Sequence, residues 1–77
     1  MKAIDDRVRA VFERTFSSRV EFRPDLHRKD VKRWDSLKHV EFMIALEMEF
    51  SIRFDGSDAT AITGVAKAVE TVRSKLV

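Results

Sequence analysis

The stretch of this chain that decides its fold reads DSLKHVEFMIALEMEF, residues 35–50. Asp35 is a favoured N-cap residue, so the pattern predicts a helix that begins at Ser36 and runs to Phe50. The Ser36 hydroxyl would lie among first-turn N–H groups that lack intrahelical partners, at the positive end of the helix dipole, which is a good place to hold a phosphate. The apolar residues expected to face the interior or its edges are Leu37, Val40, Met43, Ile44, Leu46 and Phe50.

A hydrolytic function is a possible interpretation of the same segment, because Asp35, Ser36 and His39 contain the ingredients of a catalytic triad. Residues three apart on a helix do face one another. However, no glycine-rich elbow accompanies them, and a chain of 77 residues offers little room for a substrate cleft. We therefore predict no catalytic residue, expect His39 at a boundary or on the surface, and interpret Ser36 as a side chain that another enzyme modifies. His27 and His39 do not have a metal-ligand spacing, so no metal site is predicted.

The remaining sequence predicts further helices in a single domain, residues 1–77. Apolar residues at helical spacing predict a helix over 2–16 and a last helix over about 64–76. A short element is expected near 56–61, after Asp55 and Gly56. Residues 17–35 lose this period and predict a connection of nineteen residues, longer than the usual limit of about 12–15 for a structureless loop. The expected core includes Val8, Phe12, Val40, Leu46, Val69 and Val72.

Composition limits the setting and the partners. There is no cysteine, which excludes disulfides and thiolate metal sites. No apolar run approaches the roughly 18 residues of a membrane span, and the first residues have no hydrophobic signal region, so we expect a cytoplasmic protein without membrane insertion. The formal charge is +2. It is uneven along the chain: residues 35–58 carry six acids against two cations, whereas residues 1–34 carry ten cations against six acids.

Residues 35–50 resemble the phosphopantetheine attachment segment of acyl carrier proteins. The family pattern is Asp-Ser-Leu, present here as residues 35–37, followed by a hydrophobic helix that closes on Ala-Leu-Glu-x-Glu-Phe, present as residues 45–50. Residues 62–65, Ile-Thr-Gly-Val, fall where the third helix of the family gives way to the fourth. The resemblance covers essentially the whole chain and is most specific over residues 34–50.

This resemblance implies an all-α four-helix bundle with three main helices, one short helix and a long first loop that packs across the bundle. Loop anchors would be Val20, Phe22, Leu26, Val31 and Trp34. It also implies that a phosphopantetheinyl transferase places phosphopantetheine from coenzyme A on Ser36, between Asp35 and Leu37. The thiol of this arm would carry an acyl group as a thioester, and the apolar interior would shelter the acyl chain.

The resemblance further implies partner enzymes that load and transfer acyl groups, such as ketoacyl synthases of fatty-acid, modified-lipid or polyketide synthesis. The carrier itself would be monomeric and not an enzyme. Basic patches on partners would meet the acidic segment, and the residues expected to contact them are Lys38, Glu41, Ile44, Glu47 and Met48.

Some residues depart from the family pattern. Typical fatty-acid carriers have acidic residues where Lys38 and Met48 stand, and a small residue where Trp34 stands, so the departures favour a specialised pathway. An aminoacyl or peptidyl carrier would share the same fold and serine. A small basic helical DNA-binding module fits the pI of 9.3, but it needs cations along one recognition helix, and the best-defined helix here is acidic.

Overall fold

The protein is an all-α bundle in a computed structural model that describes residues 3–17 and 20–76. Its helices within these residues are α1 (Ile4–Phe16), α2 (Ser36–Phe50), α3 (Gly56–Ala61) and α4 (Val65–Leu76), with a 3₁₀ turn at Arg28–Asp30. The predicted all-α architecture of three main helices, one short helix and a long first loop is confirmed. The predicted bounds of α2 and α3 agree with the structure, α1 and α4 begin slightly later than predicted, and Lys2 lies outside the described residues.

Aromatic rings from α1, α2 and the first loop form the centre of the core. The ring centroids of Phe12 and Phe16 on α1 are 4.5 Å apart, and the Trp34 ring lies 5.4 Å from Phe16 and 5.5 Å from Phe42. The Phe12–Phe16 pair is stacked, the Phe16–Trp34 pair is tilted and the Trp34–Phe42 pair is edge-on. Stacked and edge-on contacts add to the stabilisation that ring burial gives. Val8, Leu46 and Val72 are also fully buried, as predicted, whereas Val69 is only partly buried against the core.

The first loop is held to the start of α4 by backbone contacts. The Val65 N–H donates to the carbonyl of Leu26 at 2.9 Å, and the Arg28 N–H donates to the carbonyl of Thr63 at 2.8 Å. Gly64 is needed here because a Cβ at this position would lie 2.5 Å from the Leu26 carbonyl oxygen. The predicted loop anchors are confirmed: Leu26 and Trp34 are buried, and Val20, Phe22 and Val31 pack partly buried against the core.

The predicted inner face of α2 was partly wrong. Val40 is 52% exposed rather than in the core, and Leu37 and Ile44 are 70% and 50% exposed. The buried face consists of His39, Phe42, Met43, Leu46 and Phe50. The physical reason is helical phase: each residue advances the direction by about 100°, and packing Phe42 into the aromatic centre turns Val40 outward. Residues 17–35 also contain more regular structure than predicted, because the 3₁₀ turn interrupts them.

None of the helices in residues 3–17 and 20–76 combines the length and the apolar character needed to cross a membrane.

Candidate functional site

Ser36 is the first residue of α2 and is exposed. The carboxylate of Asp35 caps the helix by accepting the Lys38 N–H at 2.9 Å, and the Asp35 carbonyl accepts the first helical bond from the His39 N–H at 2.9 Å. The N–H groups of Ser36 and Leu37, which precede these two donors, have no intrahelical acceptor and point toward the helix start. The Ser36 hydroxyl makes no hydrogen bond with the described residues. The sequence-predicted trio Asp35, Ser36 and Leu37 is therefore brought together at a capped, accessible helix end.

His39 is buried, at 7% exposure, so the expectation of a boundary or surface position was wrong. Its Nδ1 accepts the indole N–H of Trp34 at 2.9 Å, and its Nε2 lies 2.8 Å from the carbonyl oxygen of Ala59. An acceptor at Nδ1 places the single proton of a neutral ring on Nε2, which donates to Ala59. The ring thus satisfies two polar groups that burial would otherwise penalise. Both nitrogens are occupied, so the ring is not positioned to take a proton from Ser36.

Lys38 is folded back onto α1 rather than extended toward solvent. Its ammonium nitrogen lies 3.2 Å from the carbonyl oxygen of Thr15 and 3.4 Å from a carboxylate oxygen of Glu41. Thr15 is in the last turn of α1, where carbonyls lack helical partners and the helix dipole is negative, so a cation is favourable there. The charge of the predicted partner residue Glu41 is consequently balanced within the protein.

The remaining acids of α2 face other parts of the bundle. A carboxylate oxygen of Glu47 accepts the N–H of Phe54 at 2.7 Å. Glu49 bridges two guanidinium groups of α1, with Arg7 at 3.0 Å and Arg14 at 3.4 Å. The hydrogen bond from Arg7 is the largest cause that holds the pKa of Glu49 below its ordinary value, against an opposing desolvation effect. These acids therefore have structural contacts of their own.

The short helix α3 is fixed by its capping box and by one ion pair. Asp55 accepts the Asp58 N–H at 2.8 Å and the Ser57 hydroxyl at 2.7 Å, and the latter bond is the main reason that the pKa of Asp55 is lowered. Asp58 lies 2.7 Å from the ammonium of Lys75 and raises its pKa. Ser57 also follows a capping aspartate, but its hydroxyl is engaged, in contrast to that of Ser36.

One side of α2 presents apolar side chains to solvent. Leu37, Val40, Ile44 and Met48 are all at least half exposed, and Met48 reaches 78%. Their spacing places them along one side of the helix, starting next to Ser36. We call this set the apolar stripe. Exposed apolar side chains that lie together are typical of interaction surfaces.

A cleft of 690 Å³ lies beside the start of α2. It is lined by Phe16, Ser17, Lys32, Arg33, Asp35 and Lys38. The first loop carries a basic cluster of Arg28, Lys29, Lys32 and Arg33, and two of these residues, Lys32 and Arg33, lie at this end of the helix. Their spacing along the chain does not reveal this position.

Among solved structures, this chain is similar to the solution structure of a holo acyl carrier protein from Geobacter metallireducens. The TM-score is 0.82, with 23% sequence identity over 95% of this chain and 85% of that chain. This chain has the acyl carrier protein fold. Neither the protein-family models nor the curated proteins include a match. Within the acyl carrier fold found here, residues 35–37 lie at the start of α2, residues 45–50 form its end, and residues 62–65 join α3 to α4.

Proposed function

We propose that this protein is an acyl carrier protein that bears phosphopantetheine on Ser36. The observation that carries the proposal is an exposed, unengaged serine hydroxyl at the capped start of α2, within an acyl carrier fold. The phosphodiester would lie at the positive end of the helix dipole, where first-turn N–H groups favour an anion. The first-turn N–H groups at this helix end, which have no intrahelical acceptor, fit a phosphate.

The protein's own residues supply position rather than catalysis. Asp35 fixes the helix start that presents Ser36, and a phosphopantetheinyl transferase would join the serine oxygen to the phosphate of phosphopantetheine from coenzyme A. The thiol of the arm supplies the site for a thioester. Partner enzymes that load and transfer acyl groups, such as ketoacyl synthases, would dock near the predicted residues Lys38, Glu41, Ile44, Glu47 and Met48.

A specialised pathway in fatty-acid, modified-lipid or polyketide synthesis is part of this proposal, supported by the exposed Met48 and the inward-folded Lys38. The interior of the described bundle is filled by its own side chains. An acyl chain would therefore be sheltered only if helices separate. The short helix α3 is the candidate to move, because none of its residues is fully buried.

The proposal is tested by coexpressing the protein with a promiscuous phosphopantetheinyl transferase and measuring its intact mass. We expect a single phosphopantetheine on the unaltered protein and on Ser57→Ala, but none on Ser36→Ala. Ser57 is the matched control because it also stands in the first turn of a helix capped by aspartate. No addition with several active transferases would contradict the carrier assignment.

A further inference from the structure

The acidic side chains of α2 and of its N-cap are engaged in contacts within the protein, so they are less available to a partner than the sequence suggests. Asp35 caps α2, Glu41 pairs with Lys38, Glu47 accepts a backbone N–H, and Glu49 bridges two arginines. Each acid of α2 and its cap thus has a contact within the protein. Lys38 offsets part of the charge of Glu41, and two arginines offset that of Glu49, whereas Asp35 and Glu47 are held by backbone N–H groups. Salt screens the field of these acids beyond roughly 8 Å at physiological ionic strength.

The cations of the first loop are in the opposite situation. Lys29, Lys32 and Arg33 are exposed. None of these three forms an ion pair or a side-chain hydrogen bond with residues 3–17 or 20–76. Arg28 donates to the carbonyl of Trp34. Asp30 is the single acidic residue within residues 28–33. We call Lys29, Lys32 and Arg33 the loop cations.

Two of the loop cations, Lys32 and Arg33, lie at the end of α2 where the apolar stripe begins. Lys32 and Arg33 line the cleft that Asp35 also lines, and the stripe begins at Leu37, two residues later. Ser36 lies between the two surfaces along the chain. An apolar strip bordered by charge matches the usual composition of a protein interface, with an apolar centre and a polar rim.

We propose that the partner enzyme of this carrier presents carboxylates to the loop cations and an apolar groove to the stripe. The inference rests on the proposed function, because the partner must reach the group attached to Ser36. The partner surface proposed here is acidic, whereas the sequence predicts a basic partner surface that is attracted to the acids of α2. A protein fits better than a nucleic acid, because a phosphate backbone gains nothing from the exposed side chains of Leu37, Ile44 and Met48.

The test uses the holo protein, verified by mass, loaded with an acyl group. Acyl transfer is measured to a ketoacyl synthase that has cations around the entrance of its active-site tunnel, called the basic rim. The same measurement is made with a variant of that synthase in which these cations are changed to glutamate, called the acidic rim. Rates are followed from about 0.01 M to about 0.3 M salt, a range that strongly shortens the screening length. Acyl-pantetheine without protein corrects for salt effects on the synthase itself.

We expect the corrected rate to rise with salt for the basic rim and to fall with salt for the acidic rim. Lys32→Glu with Arg33→Glu should slow transfer to the acidic rim about tenfold at low salt, because charge complementarity acts mainly on association. The control is Lys67→Glu with Arg73→Glu on α4, which changes the net charge equally and should retain the original salt dependence.

The opposite salt dependence on the unaltered protein would overturn the inference, as would equal effects of the loop and control variants. Salt-sensitive binding of a labelled random DNA duplex, abolished by the loop variant, would also overturn it in favour of a nucleic acid. Failure of Ser36 to accept phosphopantetheine is seen earlier, by mass, and contradicts the proposed function instead.

Discussion

Replacing His39 by leucine tests the buried hydrogen bonds that join the first loop, α2 and α3. Leucine places an apolar side chain of similar size at the position, so the change removes the two hydrogen bonds and leaves little cavity. The indole N–H of Trp34, in a side chain only 3% exposed, would lose its acceptor at 2.9 Å. The carbonyl of Ala59 would lose its donor at 2.8 Å, although Ala59 is only half-buried and water can replace part of that bond.

The expected cost follows from these two groups. A buried donor left without an acceptor costs about 1–3 kcal/mol, and the half-buried carbonyl adds less, so we expect about 2–3 kcal/mol in total. A domain of this size has an unfolding free energy of about 4–12 kcal/mol. The melting temperature should therefore fall by about 8–24 °C.

Thermal and urea unfolding measure this change, followed by far-ultraviolet circular dichroism and by the fluorescence of Trp34, the only tryptophan. His39→Gln should lose less, because an amide offers one acceptor and one donor. The control is Val40→Ala, next along the chain but exposed, which should change stability by less than about 0.5 kcal/mol. If His39→Leu were as stable as the unaltered protein, or if Val40→Ala cost as much, the assigned face of α2 would be refuted.

Three other changes test separate contacts. Gly64→Ala should lower the unfolding free energy by about 1–3 kcal/mol through overpacking, whereas Gly56→Ala, with no atom within 4 Å of its added Cβ, should not; equal losses in urea titrations would contradict the close approach of the first loop. The lowered pKa of Glu49 means that its contacts stabilise the fold above its ordinary pKa of 4.5 and are lost as pH falls through the lower folded-state value. Glu49→Gln should therefore flatten the decline of stability in acid, and an unchanged pH profile would count against the pairing. Lys38→Asp with Met48→Glu should speed acyl transfer to a standard ketoacyl synthase, with a gain that shrinks as salt is added, and no response would remove the case for a specialised pathway.

The helix positions could largely be predicted from the sequence, because the signals are local. Asp35 and Asp55 mark the starts of α2 and α3, and each does cap its helix with its side chain. The candidate site shares this local origin, since the exposure of Ser36 depends on its place in the first turn. A capping residue and the helix after it are specified within a few positions of one another.

The orientation of α2 could not be predicted in the same way. Apolar residues surround most of this helix, so their spacing does not select one inner face, and Val40 was wrongly placed in the core. The burial of His39 depends on Trp34 and Ala59, which belong to other elements. The pairing of Glu49 with Arg7 also depends on helix packing, because these residues are 42 positions apart. Such contacts arise only when the bundle is assembled.

Peptide mapping of the protein after reaction with coenzyme A and a transferase tests the central claim most directly. The account predicts that tandem mass spectrometry will find phosphopantetheine on Ser36 and on no other serine, and that Ser36→Ala will leave the protein unmodified. Attachment at Ser17, Ser18, Ser51 or Ser57, or modification that persists in Ser36→Ala, would contradict it.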